Sequence, residues 1–186
     1  MNTPNKLTVA RVIITPLFLL TFLSSIPHRF IISAVIFSVA AITDAIDGKL
    51  ARKHNQITTF GKFLDPVADK MLTTAALLAF IQEGICGAWP VFIILTREFI
   101  VTSMRLISAS QNIVVPANIF GKIKTATQMT FTILILVWGE LVETWGFLVN
   151  DFKFVTNIMI WITAVLAAIS GIIYLIQAKK TIDFSK

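Results

Sequence analysis

Asp44-Ala-Ile-Asp47-Gly48-Lys-Leu-Ala51-Arg52 is followed, after eight residues, by Gly61-Lys-Phe-Leu-Asp65-Pro-Val-Ala-Asp69. These two stretches set four carboxylates at the ends of apolar runs. Ionisable groups at membrane depth carry a high free-energy cost and default to a functional reading. Asp44 and Asp47 stand at i and i+3, so they share one helix face, and Gly48 and Ala51 continue that stripe. On the next run Gly61, Asp65 and Asp69 fall at i, i+4 and i+8. The small residues let a bulky group approach the backbone closely. Two helices joined by a short turn bring such faces together, and four carboxylates meeting there repel unless cations intervene. Hard oxygen ligands suit magnesium or manganese. Two such ions clamp the attacking and leaving oxygens in phosphoryl chemistry. Solvated carboxylates paired with Lys49, Arg52, Lys62 and Lys70 are the alternative. That alternative serves for a single aspartate and poorly for four on two matched stripes.

The rest of the chain has the composition of a membrane protein. Of 186 residues, 56% are hydrophobic and only 14% charged, and the mean hydropathy is +0.82. A soluble domain of this size carries more charge. Six apolar segments approach the roughly 20 residues needed to span a bilayer. They are Leu7–Ser25, Phe30–Asp47, Asp65–Ile81, Trp89–Ile107, Ile123–Trp138 and Phe154–Ile176. There is no strand alternation and no evident repeat. The expectation is a single all-α domain over 1–186, a polytopic bundle of six transmembrane helices. Polar Met1 to Lys6 would form a short interfacial segment before it. The basic start resembles a signal peptide, but no clean cleavage pattern follows, so the first segment reads as a retained helix.

The net charge of +6 does not point to nucleic acid, because the basic residues sit in short connections between apolar runs. With both termini on one side, that side and its helix ends hold fourteen of the sixteen Lys and Arg residues. The other side keeps Arg29 and Lys153, along with Glu83, Glu140, Glu143 and Asp151. The split puts both termini and the aspartate cluster on the cytoplasmic face of the plasma membrane. Trp89, Trp138 and Trp145 fall near the opposite interface. Cys86 is the single cysteine and has no intramolecular disulfide partner. His28 and His54 lack metal-ligand spacing.

The 44–69 stretch meets every fixed position of the DGxxAR-type signature and resembles the CDP-alcohol phosphatidyltransferase family, whose six-helix architecture covers essentially the whole chain. The resemblance implies that Asp44, Asp47, Asp65 and Asp69 bind two divalent cations, Mg2+ or Mn2+, with Asp69 also the general base. It implies CDP-lipid contacts for Gly48, Ala51, Arg52, Thr58 and Gly61. Asn5-Lys-Leu-Thr8 is similar to an N-terminal nucleotide-contacting element, which adds Asn5 and Thr8. The family also implies a homodimer. A site at the membrane surface suits a lipid substrate whose diphosphate lies at headgroup level and whose acyl chains lie in the bilayer.

The fourth segment carries Arg97, Glu98 and Arg105. Arginines within a span need an anion or an internal partner. Glu98 and Arg105, at i and i+7, are expected to satisfy each other in part. That leaves Arg97 and Lys124 for an external anion, with a buried ion-pair network as the alternative. Arg97-Glu98-Phe-Ile-Val-Thr-Ser-Met-Arg105 and Gly121-Lys-Ile-Lys124-Thr-Ala-Thr-Gln128 resemble motifs of bacterial phosphatidylglycerophosphate synthases. This implies an acceptor, glycerol 3-phosphate, held by Arg97, Arg105, Lys122 and Lys124, and a donor, CDP-diacylglycerol. Other alcohols (phosphatidylglycerol, serine, an inositol phosphate) are alternatives within the family. A divalent-cation transporter is the alternative outside it. Transporters place ion sites near the midplane, often between repeats, and neither feature is visible here.

Overall fold

The computed structural model describes the backbone at residues 3–54, 59–111, 118–146 and 148–179. Side chains are described at residues 8–43, 67–68, 70–111, 118–146 and 148–179. Among these residues there are six helices and no strand. The helices are α1 (Thr3–Phe22), α2 (Arg29–His54), α3 (Thr59–Gln82), α4 (Ala88–Ser110), α5 (Ile119–Trp145) and α6 (Val149–Lys179).

Helices α5 and α6 are long and apolar enough to cross a membrane. The apolar stretches described in the first three helices, Thr8–Phe22, Arg29–Thr43 and Lys70–Gln82, are shorter. Helix α4 has 23 residues and carries Arg97, Glu98 and Arg105 within it. Large apolar side chains face outward along the chain, among them Leu20, Trp89, Phe92, Phe99 and Phe154. A surface of this kind is matched to lipid, not to water. The hydroxyls within these helices turn back on their own backbone. Thr15 donates to the Arg11 carbonyl at 3.0 Å, Thr102 to Glu98 at 2.7 Å and Thr163 to Met159 at 3.1 Å. A helix satisfied in this way needs no water along its length.

Two boundaries differ from expectation. No separate interfacial segment precedes α1 among the described residues, because the helix already begins at Thr3. Pro4 stands in its first turn, where the missing N–H has no intrahelical partner to lose. Helices α2 and α3 also overrun the apolar segments. α2 continues to His54 and α3 begins at Thr59, so the aspartate positions lie inside helices and not at their tips. The residues that carry α2 onward, Lys49, Leu50, Ala51 and Arg52, are all good helix formers.

The chain sorts into two compact units, Met1–Ile85 with Thr132–Lys153 and Cys86–Phe131 with Phe154–Lys186, divided within α5 and α6. In the first unit α1 packs against both α2 and α3. Phe18 and Phe22 share a face of α1 and stack with ring centroids 5.9 Å apart. Phe22 meets Phe30 edge-on at 5.1 Å and Phe80 at 5.7 Å, and Phe18 meets Phe37 at 6.0 Å. Ala68, Ala75, Ala76 and Ala79 give α3 a buried small-residue face that allows close approach. Gly139 is needed for the same reason, since a Cβ there would run into the Phe30 ring.

One end of this unit is closed by ion pairs that sequence patterning did not single out. Arg29, the first residue of α2, donates Nη2 to Glu83 at 2.8 Å, Nε to Glu143 at 3.2 Å and Nη1 to the Phe22 carbonyl at 3.2 Å. Its guanidinium also lies over the Phe30 ring, 5.0 Å from the centroid. Glu140 pairs with His28 at 2.6 Å and accepts from the Ile31 N–H at 3.2 Å. A carboxylate is thus set against the start of α2, where the helix dipole favours it. Arg29→Ala is expected to lower stability by roughly 2 kcal/mol, because it strips partners from a half-buried carboxylate. The more exposed Glu143→Gln should cost under about 1 kcal/mol. Thermal unfolding in detergent micelles measures both.

Cys86 is buried in the turn before α4, and burial pushes its thiol pKa up to about 11. A raised thiol stays neutral until pH climbs towards that value, and the thiolate is the reactive form. The folded protein is therefore expected to resist alkylation by iodoacetamide at neutral pH and to react on unfolding, as mass spectrometry of the modified chain would show.

Candidate functional site

The continuous helical backbone of α2 places Asp44, Asp47, Gly48 and Ala51 at i, i+3, i+4 and i+7, with Arg52 following. α3 places Gly61, Asp65 and Asp69 at i, i+4 and i+8. The register that the carboxylate stripes require is thus present in the backbone. The side chains of these residues and of Asn5 lie outside the described set, as does Thr58 entirely. Thr8 is buried on α1, the helix that packs against both α2 and α3. Among the described residues no group of three or more His, Cys, Asp or Glu could hold a metal ion. The four aspartates lie outside that set.

The second unit holds a described cluster of charge. Its centre is Glu98 on α4. Oε1 of Glu98 accepts from Arg97 Nη1 at 2.8 Å and from Lys124 Nζ of α5 at 2.5 Å. Lys124 is only 2% exposed, so its ammonium needs a countercharge nearby. Arg97 is held further by α6, where its Nε donates to Ser170 Oγ at 3.0 Å. One carboxylate thus joins two cations from two helices.

Asn118 shapes the start of α5. Its Oδ1 accepts from the Gly121 N–H at 2.6 Å, the bond of an N-cap. Its Nδ2 donates to the Ser170 carbonyl at 3.4 Å, tying this turn to α6. Gly121 leaves room for Arg97, since a Cβ there would lie 3.1 Å from Nη2.

The structure brings Arg97 and Lys124 together. It does not pair Glu98 with Arg105, contrary to expectation. The i, i+7 reading kept both partners on one helix, whereas Glu98 takes its immediate neighbour and a lysine from α5. The Arg105 guanidinium instead lies over the Tyr174 ring, 5.7 Å from the centroid. Arg105 and Lys122 are both exposed. Asn118, Ser170 and Gly171 were missed. For Asn118 a signal existed in the form of an N-cap residue before an apolar run. A serine and a glycine in an apolar helix carry no comparable mark.

The family model for CDP-alcohol phosphatidyltransferases matches residues 1–169, a span that contains the four aspartates, Arg97, Glu98 and Lys124. The chain belongs to the CDP-alcohol phosphatidyltransferase family. Within the family it is similar to proteins named CDP-diacylglycerol–glycerol-3-phosphate 3-phosphatidyltransferase. That of Bacillus subtilis (strain 168) is 44% identical over 140 residues, covering 69% of this chain and 72% of the relative. That of Rickettsia bellii (strain RML369-C) is 41% identical over 138 residues, covering 74% and 76%. That of Shigella flexneri serotype 5b (strain 8401) is 38% identical over 150 residues, covering 76% and 82%.

In this phosphatidyltransferase family member, Glu98 should behave as the keystone of its cluster. Glu98→Ala leaves two neighbouring cations without their shared countercharge and is expected to cost about 3 kcal/mol. Replacing the pair together, Glu98→Gln with Lys124→Met, should recover much of that loss. Denaturation midpoints of the single and double variants in detergent test this.

Proposed function

We propose that this chain transfers the phosphatidyl group of CDP-diacylglycerol to glycerol 3-phosphate, giving phosphatidylglycerol phosphate and CMP in phospholipid synthesis. The observation that carries the reading is 38–44% identity to proteins named for that reaction, over most of both chains. The intact aspartate pattern and the cationic cluster at Glu98 support it.

Asp44, Asp47, Asp65 and Asp69 would hold two divalent cations, which neutralise the diphosphate and stabilise charge on the departing CMP. Asp69 takes the proton from the primary hydroxyl of glycerol 3-phosphate. The hydroxyl oxygen forms a bond to the lipid-side phosphorus, and the bond from that phosphorus to the CMP phosphate breaks. Arg52 binds phosphate of the donor through its planar fork. Gly48, Ala51 and Gly61 admit the CDP group, with Asn5, Thr8 and Thr58 alongside it. Arg97, Arg105, Lys122 and Lys124 hold the acceptor's phosphate, which carries about two negative charges near neutral pH.

The reading includes six membrane crossings with both termini cytoplasmic, supported by the fourteen-to-two division of basic residues. It also includes a homodimer, as the family resemblance implies. Light scattering of the detergent-solubilised protein and reporters fused at each terminus test these two points.

The deciding experiment measures CMP release from CDP-diacylglycerol by purified protein with different alcohols. Glycerol 3-phosphate with Mg2+ or Mn2+ is expected to support turnover. Chelation should abolish it, and serine, an inositol phosphate or phosphatidylglycerol should substitute poorly. Asp69→Asn is expected to lower kcat at least a hundredfold with an unchanged melting temperature. An active Asp69→Asn protein would remove Asp69 from the base role, and turnover preferring another alcohol would overturn the acceptor assignment.

A further inference from the structure

We propose that Ser170 and Gly171 of α6 are positioning residues that set the pose in which Arg97 meets the acceptor's phosphate. The inference rests on the reading of Arg97 as a ligand of glycerol 3-phosphate. Both residues lie just beyond the family match, which ends at residue 169.

Ser170 is fully buried. Its hydroxyl donates to the Ala167 carbonyl at 3.1 Å, which commits its one proton. What faces Arg97 is therefore an acceptor, and it takes the Nε–H at 3.0 Å. Gly171 lies under the side-chain stem. A Cβ added there would meet Arg97 Cγ at 3.0 Å, so a side chain at this position requires the arginine stem to give by a few tenths of an ångström. With Glu98 on Nη1, the stem, the Nε edge and one end of the fork each have a named neighbour, and the missing side chain at Gly121 leaves room for Nη2.

An arginine fork binds phosphate through N–H bonds lying in one plane. Tilting that plane loses a bond even though the charge stays in place. Ser170 and Gly171 thereby influence acceptor affinity without touching the acceptor. Neither is expected to affect the donor, whose proposed ligands all fall between Asn5 and Asp69.

The test is steady-state kinetics on the full chain in detergent, varying glycerol 3-phosphate and CDP-diacylglycerol separately. Ser170→Ala and Gly171→Ala are each expected to raise KM for glycerol 3-phosphate about tenfold. KM for CDP-diacylglycerol should stay within about twofold of its starting value. Ser170→Thr, which keeps the hydroxyl, should retain the lower KM. Arg97→Lys removes the Nε–H but keeps a charge. It should raise the same KM, and adding Ser170→Ala to it should have no further effect.

If Arg97→Lys raises KM for glycerol 3-phosphate while neither α6 variant does, positioning is refuted and the ligand role of Arg97 stands. An effect of Ser170→Ala that persists in the Arg97→Lys background likewise refutes positioning. If Arg97→Lys itself leaves that KM unchanged, the ligand role fails and the inference falls with it. Should one α6 variant not fold, as judged by its melting transition, the other decides.

Discussion

The Glu98 carboxylate, shared by the Arg97 guanidinium and the Lys124 ammonium, is the contact on which the second unit turns. An ammonium as buried as that of Lys124 is tolerated only with a countercharge beside it. That requirement ties α4 to α5, and the reach of Arg97 to Ser170 extends the tie to α6. The same demand explains why the glycines stand where they do. Gly121 and Gly171 border a side chain that has to lie between helices rather than reach out towards water. The arrangement holds positively charged donors from two helices in a defined pose.

The first unit answers the same physical problem differently. Arg29 sits at a helix start, where Glu83 and Glu143 supply opposite charge and the Phe22 and Phe30 rings supply polarisable faces. Behind it the core is aromatic, with Phe18, Phe22, Phe37 and Phe80 buried together. Rings of this size contribute large contact area and interlock at defined angles. They hold α1 against the two helices that carry the aspartates.

Much of this was legible in the residues. The apolar runs marked six helices because a chain that exposes its side chains to lipid must satisfy its backbone locally, within each helix. The aspartate stripes were legible because i, i+3 and i+4 spacing defines a face on any helix. Arg97 and Lys124 stood out as charges in apolar surroundings. Their partner was misjudged for a geometric reason. Adjacent residues on a helix point in different directions, so pairing Glu98 with Arg97 ran against pattern, and a long flexible side chain made it possible. Arg29 was read as one of two basic residues on the sparse side. Its role depends on Glu83 and Glu143, 54 and 114 residues away.

Sequence by itself determined the all-helical class, the lipid-compatible surface and the carboxylate pattern, because composition and periodicity are local properties that survive whatever the neighbours do. Tertiary structure decided which charges pair and that Ser170 and Gly171 border Arg97. These depend on the rotation and depth at which one helix meets another. That meeting is fixed by packing between residues far apart in the chain, and no spacing along the chain encodes it.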